Sequence, residues 1–400
     1  MSTAVMTHRL ELDSLADHAL KASVRFWFVV LFLGQLLFAS TIASFYGLTA
    51  ARGHVHAWTK LLMHGITPGD RIGNLALATH LISAVIIILA GTLQLVPQLR
   101  SRFPRFHRWV GRLYILTAFT VSLAGLYLMW MRGTVGDLSQ HLGTSLMALL
   151  IMLCAVLALR YALARDFTAH RRWALRLYFV VSASLFIRAG LFLSLLANHG
   201  PFGFDPSTFT GPFLTFISFA QYLVPLAILE LYFRVRQRSG AFGRMAIAVL
   251  LFVLTLGMAG GVFGVTASIW APAVKAAFDG RKSIAETLSR TIAINGIDAA
   301  IGQYHQLKAG ASAGAYSFDE AELNTLGYEL LRAGRSKDAI RIFELNIEAY
   351  PNSANVYDSL GEGYANDGDR ALAIANYQKS LELNAKNHNA VVMLEKLGVR

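Results

Sequence analysis

Residues 75–96 read LALATHLISAVIIILAGTLQLV. The stretch holds no Asp, Glu, Lys or Arg, and its only readily ionised side chain is His80. As a helix it is about 33 Å long, enough to cross the hydrocarbon core of a bilayer. A helix is the form required there, because hydrocarbon offers an exposed amide no partner and only a helix satisfies its own backbone within one segment. Six further stretches of the same character occur, at about residues 26–48, 110–130, 141–160, 173–196, 211–233 and 244–267. The chain is therefore predicted to be all-α, with a polytopic bundle of seven transmembrane helices over residues 26–267.

Composition divides the chain sharply. Residues 1–271 contain eight of the 24 acidic side chains, whereas residues 272–400 contain 16 acidic and 14 basic ones. The net charge of +12 thus arises from short loops between apolar runs, a mark of topology that excludes a nucleic-acid footprint. Fifteen basic residues fall in residues 1–25 and in the second, fourth and sixth loops; the alternate loops hold four, Arg52, Lys60, Arg71 and Arg132. That asymmetry predicts a cytoplasmic N-terminal tail at residues 1–25, in a bacterial inner membrane, and the odd number of spans sends the C-terminal part to the periplasm. The polar stretch before Phe26 lacks a small-residue cleavage site, so the first span is expected to be retained. Cys154, the single cysteine, lies inside an apolar run and reads as a small buried hydrophobe.

After a linker at residues 268–282, two blocks repeat with a spacing of 34 residues, at 320–353 and 354–387. Leu326 and Gly327 match Leu360 and Gly361, Gly334 matches Gly368, Ala339 matches Ala373, and Phe343 matches Tyr377. The pattern resembles the tetratricopeptide repeat, which implies antiparallel helix pairs stacked as a superhelix that binds a protein or peptide partner. A degenerate pair at 284–307 and a capping helix at 388–397 extend the predicted repeat domain over residues 283–398. No catalytic constellation stands out in it.

Chemistry in the membrane part centres on four histidines. His80 and His141 are placed toward the outer side, His107 and His170 toward the inner side. Trp109, Arg112, Leu113 and Tyr114 recur at the same spacing as Trp173, Arg176, Leu177 and Tyr178, so residues 75–196 read as a duplicated hairpin. Duplication would set His80 opposite His141 and His107 opposite His170. Paired imidazoles at two depths resemble the cytochrome b561 class, in which a four-helix core holds two b-type haems. That resemblance implies His80, His141, His107 and His170 as iron ligands and Arg112 and Arg176 as propionate partners. The inner histidines depart from the pattern by preceding their helices in arginine-rich segments. The competing account makes the inner boxes interfacial anchors against anionic lipid, and His80 and His141 polar contacts between helices. A polar pocket for a small ligand or quinone is a further reading.

Arg188 lies about 22 Å up the fifth span, near the levels of His80 and His141, and its candidate partners are Asp70, Asp137, a ligand anion or water. Glu230 is expected to pair with Arg234 one turn on. His54, His56 and His64, around Trp58, form a weak metal-site candidate. Gly257, Gly260, Gly261 and Gly264 admit close approach of another helix, from this bundle or from a second copy.

The central region, about residues 30–235, resembles a bacterial membrane family, the domain of unknown function 2306. The resemblance rests on the His80 helix, on His107-Arg108-Trp109-Val110-Gly111-Arg112-Leu113-Tyr114, and on His170-Arg171-Arg172-Trp173 leading to Arg176-Leu177-Tyr178, with Arg188 beyond. Ala174 stands where the family usually has methionine. The family implies a fold and no particular activity. Three functional readings remain open: a scaffold or sensor that presents the repeat domain, a dihaem or quinone-linked electron carrier, and a transporter. The last is set back because the sequence displays no broken-helix pair.

Overall fold

A computed structural model of the chain describes residues 3–62, 65–67, 69–206, 208–238, 240–310 and 313–399. It divides into two compact units, Met1–Phe278 and Asp279–Arg400.

Six helical segments of the first unit are long and apolar enough to cross a membrane, and a bent pair brings the number to seven. The first is α1 (Thr3–Thr41), which continues through a π-turn at Ile42–Tyr46 into α2 (Gly47–Ala51). Then follow α3 (Arg71–Gln94), the short α4 (Pro97–Arg102), α5 (Pro104–Tyr127) with a π-turn at Leu128–Arg132, and α6 (Leu138–Leu163). The bent pair is α7 (Phe167–Val181) and α8 (Ala183–Ala197), which meet at Ser182 with an angle of 45°. Next come α9 (Pro212–Arg238) and α10 (Ala241–Val265), the latter running through a π-turn at Thr266–Trp270 into α11 (Ala271–Asp279).

Three features lie outside what the apolar runs alone convey. Residues 3–25 belong to the first helix, because the polarity that ends an apolar run does not end a helix. Asp13 and Asp17 there pair with Arg244 at the start of α10, the Asp17 contact being 3.0 Å. Most of the expected linker is likewise helical, through the π-turn and α11. A broken span does exist, at Ser182, whose hydroxyl turns back to donate to the carbonyl of Tyr178 at 2.8 Å.

Local chemistry starts the helices where they begin. Asp70, Asp137 and Asp166 accept the amide protons of Gly73, Gln140 and Ala169, capping α3, α6 and α7. Pro104 opens α5, where its missing amide proton leaves no bond unmade. Helix α3 pairs with α5 and α6 with α7, giving the two hairpins; α1 lies along α10, which also packs on α8. That last contact answers the question left by the glycines. Gly257 and Gly264 lie against Leu193 and Leu196, and Gly261 sits on the backbone of Ala189, so the stripe is used inside the bundle. At the end of the bundle away from the arginine-rich loops, Arg132 ties the chain at 65–74 together. It lies 3.3 Å from Asp70 and donates to Gly73 O, Thr67 Oγ1 and Asn74 Oδ1 at 3.2, 2.7 and 3.1 Å.

The second unit begins with β1 (Lys282–Ser283), which pairs in parallel with β2 (Tyr316–Ser317). Helices α12 (Ile284–Asn295) and α13 (Ile297–Ala309) form one hairpin, α14 (Glu320–Arg332) and α15 (Ser336–Ala349) a second, and α16 (Ala354–Asp367) and α17 (Arg370–Leu383) a third; α18 (His388–Lys396) packs on α17. The helices of the second and third hairpins start 34 residues apart. Equivalent side chains do equivalent work. The rings of Phe343 and Tyr377, both fully buried, press on Gly327 and Gly361. Asn346 donates to Glu320 O at 3.0 Å, and Ser380, 34 positions on, to Ala354 O at 2.8 Å. Gly334 and Gly368 turn the two hairpins with φ of 72° and 88°, a left-handed conformation that a side chain would strain.

Candidate functional site

The arginine-rich end of the bundle opens into a cavity of about 1830 Å³, bordered by parts of α1, α3 to α10 and the connections between them. Its interior is mostly Leu, Ile, Val, Phe, Ala and Gly. Eight arginines are among its lining residues: Arg25, Arg100, Arg108, Arg112, Arg165, Arg171, Arg172 and Arg236. His107 and His170 join them, and no lining residue is Asp or Glu. The composition follows from the loops: the arginine-rich segments are those that converge at this mouth.

The two duplicated boxes reach the cavity in like manner. The guanidinium of Arg112 lies 5.2 Å from the ring of Trp109, and that of Arg176 lies 4.5 Å from Trp173. Tyr114 and Tyr178 are both buried beside the cavity. The Tyr114 hydroxyl has no hydrogen-bond partner among the described residues, whereas that of Tyr178 neighbours the hydroxyls of Thr92 and Ser182. The copies then diverge. Arg176 forms an ion pair of 2.7 Å with Glu230 and does not line the cavity, whereas Arg112 does. Glu230 therefore pairs across helices with Arg176, and not with Arg234 as the spacing suggested, because α7 brings a fork-shaped donor to it.

His107 and His170 both line this mouth. The backbone carbonyl of His107 accepts a bond of 3.0 Å from Gln94 Nε2, which ties α3 to α5 at the mouth. His170 Nδ1 lies 2.8 Å from the carbonyl of Ala158; as donor there it leaves Nε2 as an acceptor.

His80 and His141 are not partners. His80 Nδ1 lies 3.1 Å from Val121 O, and the ring packs against Gly125. His141 belongs to the far surface, where Nε2 is 3.3 Å from both Thr134 Oγ1 and Val135 O and the ring meets Trp130 edge-on at 5.8 Å. Four histidines thus fall in three places, where the duplication had suggested two facing pairs.

Arg188 stands apart from the cavity. Phe186, Ala189, Gly190 and Leu193 line it, which puts Arg188 on the opposite face of α8. There its guanidinium is 4.6 Å from the ring of Phe38, donates to Ser184 O at 2.6 Å, and neighbours Tyr46 and His80. Asp137 caps α6, and Asp70 caps α3 and pairs with Arg132, so neither expected carboxylate serves Arg188. A cation held in the bundle without a carboxylate is expected to destabilise it. Arg188→Met should raise the thermal midpoint of the detergent-solubilised chain, by about 1–4 kcal/mol of stability. Arg132→Met, which strips several bonds, should lower it. Tryptophan fluorescence on heating reads both, and a fall with Arg188→Met would mean that the charge is stabilised by something other than these contacts.

For the histidines of the first loop, His64 and the side chain of His56 lie outside the described residues. Among the described residues no group of three or more His, Cys, Asp or Glu is placed to hold a metal ion.

A family model described as a predicted membrane protein, domain of unknown function 2306, matches residues 77–210. The match takes in both hairpins, the four histidines and Arg188, and so corresponds to the boxes from which the resemblance was read. No curated protein and no solved structure matches the chain.

Proposed function

We propose that the bundle is an intramembrane receptor for an amphiphilic ligand, and that the chain acts as a membrane-anchored scaffold or sensor with its helical repeats as the partner-binding module. The cavity carries this reading. At about 1830 Å³ it exceeds the roughly 300–1000 Å³ of ordinary small-molecule pockets, and its walls are apolar up to a basic mouth. Such a shape suits a long apolar body with a polar head. The basic loops support a mouth on the cytoplasmic side of a bacterial inner membrane. The 34-residue period, expressed in equivalent packing and hydrogen bonds, supports tetratricopeptide-like repeats and hence a peptide or protein partner.

Native mass spectrometry of the intact chain tests the receptor. Bound amphiphile is expected in the wild type and is expected to fall about tenfold or more when Ala174→Trp and Ala220→Trp together fill the cavity. Equal retention would sink the reading. Partners recovered with the full chain should be lost when residues 279–400 are deleted, with the ligand retained. Transport is the second reading, favoured by the bend at Ser182 beside the cavity. The haem reading lacks two facing histidine pairs, so protein purified from haem-replete cells is expected to show no b-type Soret band.

A further inference from the structure

We infer that the amphiphile carries a phosphate head, held by the arginines at the cavity mouth with its chains in the apolar interior. The inference rests on the receptor reading above and names the ligand class. Its basis is the contrast between two sets of arginines in one bundle. Arg132, Arg176 and Arg244 each have a carboxylate within 3.3 Å. The eight arginines of the mouth have none among the described residues, and no acidic side chain lines the cavity to neutralise them.

Unpaired like charges collected round a low-dielectric opening raise the local potential and draw in an anion. Their arrangement also limits which anion. Arg112 lies 5.2 Å over Trp109 and Arg172 lies 5.6 Å over Phe233, each guanidinium held by its face. A guanidinium held that way keeps its N–H edges free for forked bonds to oxygen. Arg236 is steadied by Tyr232 Oη at 3.4 Å. Eight guanidinium groups, from α1, α4, α5, α7, α9 and the connection before α7, suit a head with three or more anionic or ester oxygens. A single carboxylate would leave most of them unused. Below the mouth no acid intervenes among the described residues, so the same molecule can place its chains along the buried Leu177, Phe179, Leu229 and Met258.

Trp27 lines this cavity and stacks on Phe179 at 4.8 Å, which provides a local optical reporter. The intact chain in phosphatidylcholine nanodiscs would be titrated with brominated-chain phosphatidic acid, with diacylglycerol and free fatty acid of the same chains, and with inorganic phosphate as competitor. Saturable quenching by phosphatidic acid is expected, with about tenfold or more weaker binding of diacylglycerol, intermediate binding of fatty acid, and weakening by added salt. Millimolar inorganic phosphate should displace little, since it lacks the chains; ready displacement would assign the mouth to free phosphate and overturn the lipid assignment. Arg108→Gln with Arg171→Gln and Arg172→Gln should abolish the preference for phosphatidic acid while leaving diacylglycerol binding unchanged. Arg160→Gln, outside the cavity lining, should change neither. Equal binding of diacylglycerol and phosphatidic acid would overturn the phosphate assignment and leave the receptor reading standing, as would tighter binding of the fatty acid. Quenching that never saturates with any lipid would overturn both.

Discussion

Gly261→Ala is expected to destabilise the bundle by about 2–3 kcal/mol, near the upper end for overpacking by one methyl group, whereas Gly260→Ala should be neutral or stabilising. The two glycines are adjacent in sequence and differ only in what they face. A Cβ on Gly261 would run into the carbonyl of Ala189, a backbone group on α8 that cannot rotate away. A Cβ on Gly260 would meet only the tip of Leu193 at 3.8 Å, an ordinary contact. In a bilayer no hydrophobic force draws α8 and α10 together, so their association depends on close packing, and a single methyl group that parts the backbones removes much of it. Thermal unfolding in detergent checks the pair. Equal midpoints for the two variants would contradict the packing described.

That contrast marks what was legible in the sequence. Hydropathy located the spans because the solvent itself selects long apolar helices, and the 34-residue spacing located the paired hairpins because each must bury the same positions against its neighbour. Hydropathy was blind to the bend at Ser182, since neither Pro nor Gly stands there and a single serine hydroxyl hardly alters the apolarity of the run. It was blind also to the three π-turns, which change the direction of side chains without changing apolarity. The two boxes share local packing: Arg112 and Arg176 stack on their tryptophans and Tyr114 and Tyr178 are both buried. What duplication failed to convey was the fate of each copy, because Glu230 on α9 neutralises Arg176 and no carboxylate does the same for Arg112. The cavity was the least legible feature. Its lining comes from nine helices and their connections, and each lining residue taken alone is an ordinary leucine, glycine or loop arginine.

In the second unit the largest effect is expected from Phe343→Ala. Its ring is fully buried, lies on Gly327 and within reach of Gly363, and meets Tyr328 edge-on at 5.3 Å. It thus joins α14, α15 and α16, and its removal opens a cavity that the glycines, having no side chains, cannot fill. Truncation of a buried phenylalanine costs about 3–5 kcal/mol. A unit of this size has a total stability of about 5–15 kcal/mol, so a fifth of it at the least is at stake. In stacked hairpins each unit leans on the next, and the loss should spread from α14–α15 into α16–α17. Leu372→Ala, at a position 42% exposed, should stay within about 0.5 kcal/mol. Hydrogen exchange on the full chain distinguishes local from global damage: amides of α14 to α17 should lose protection with Phe343→Ala while those of α3 and α10 keep theirs. Loss of protection confined to α15 would show that the hairpins do not share one core, and would count against a cooperative repeat stack.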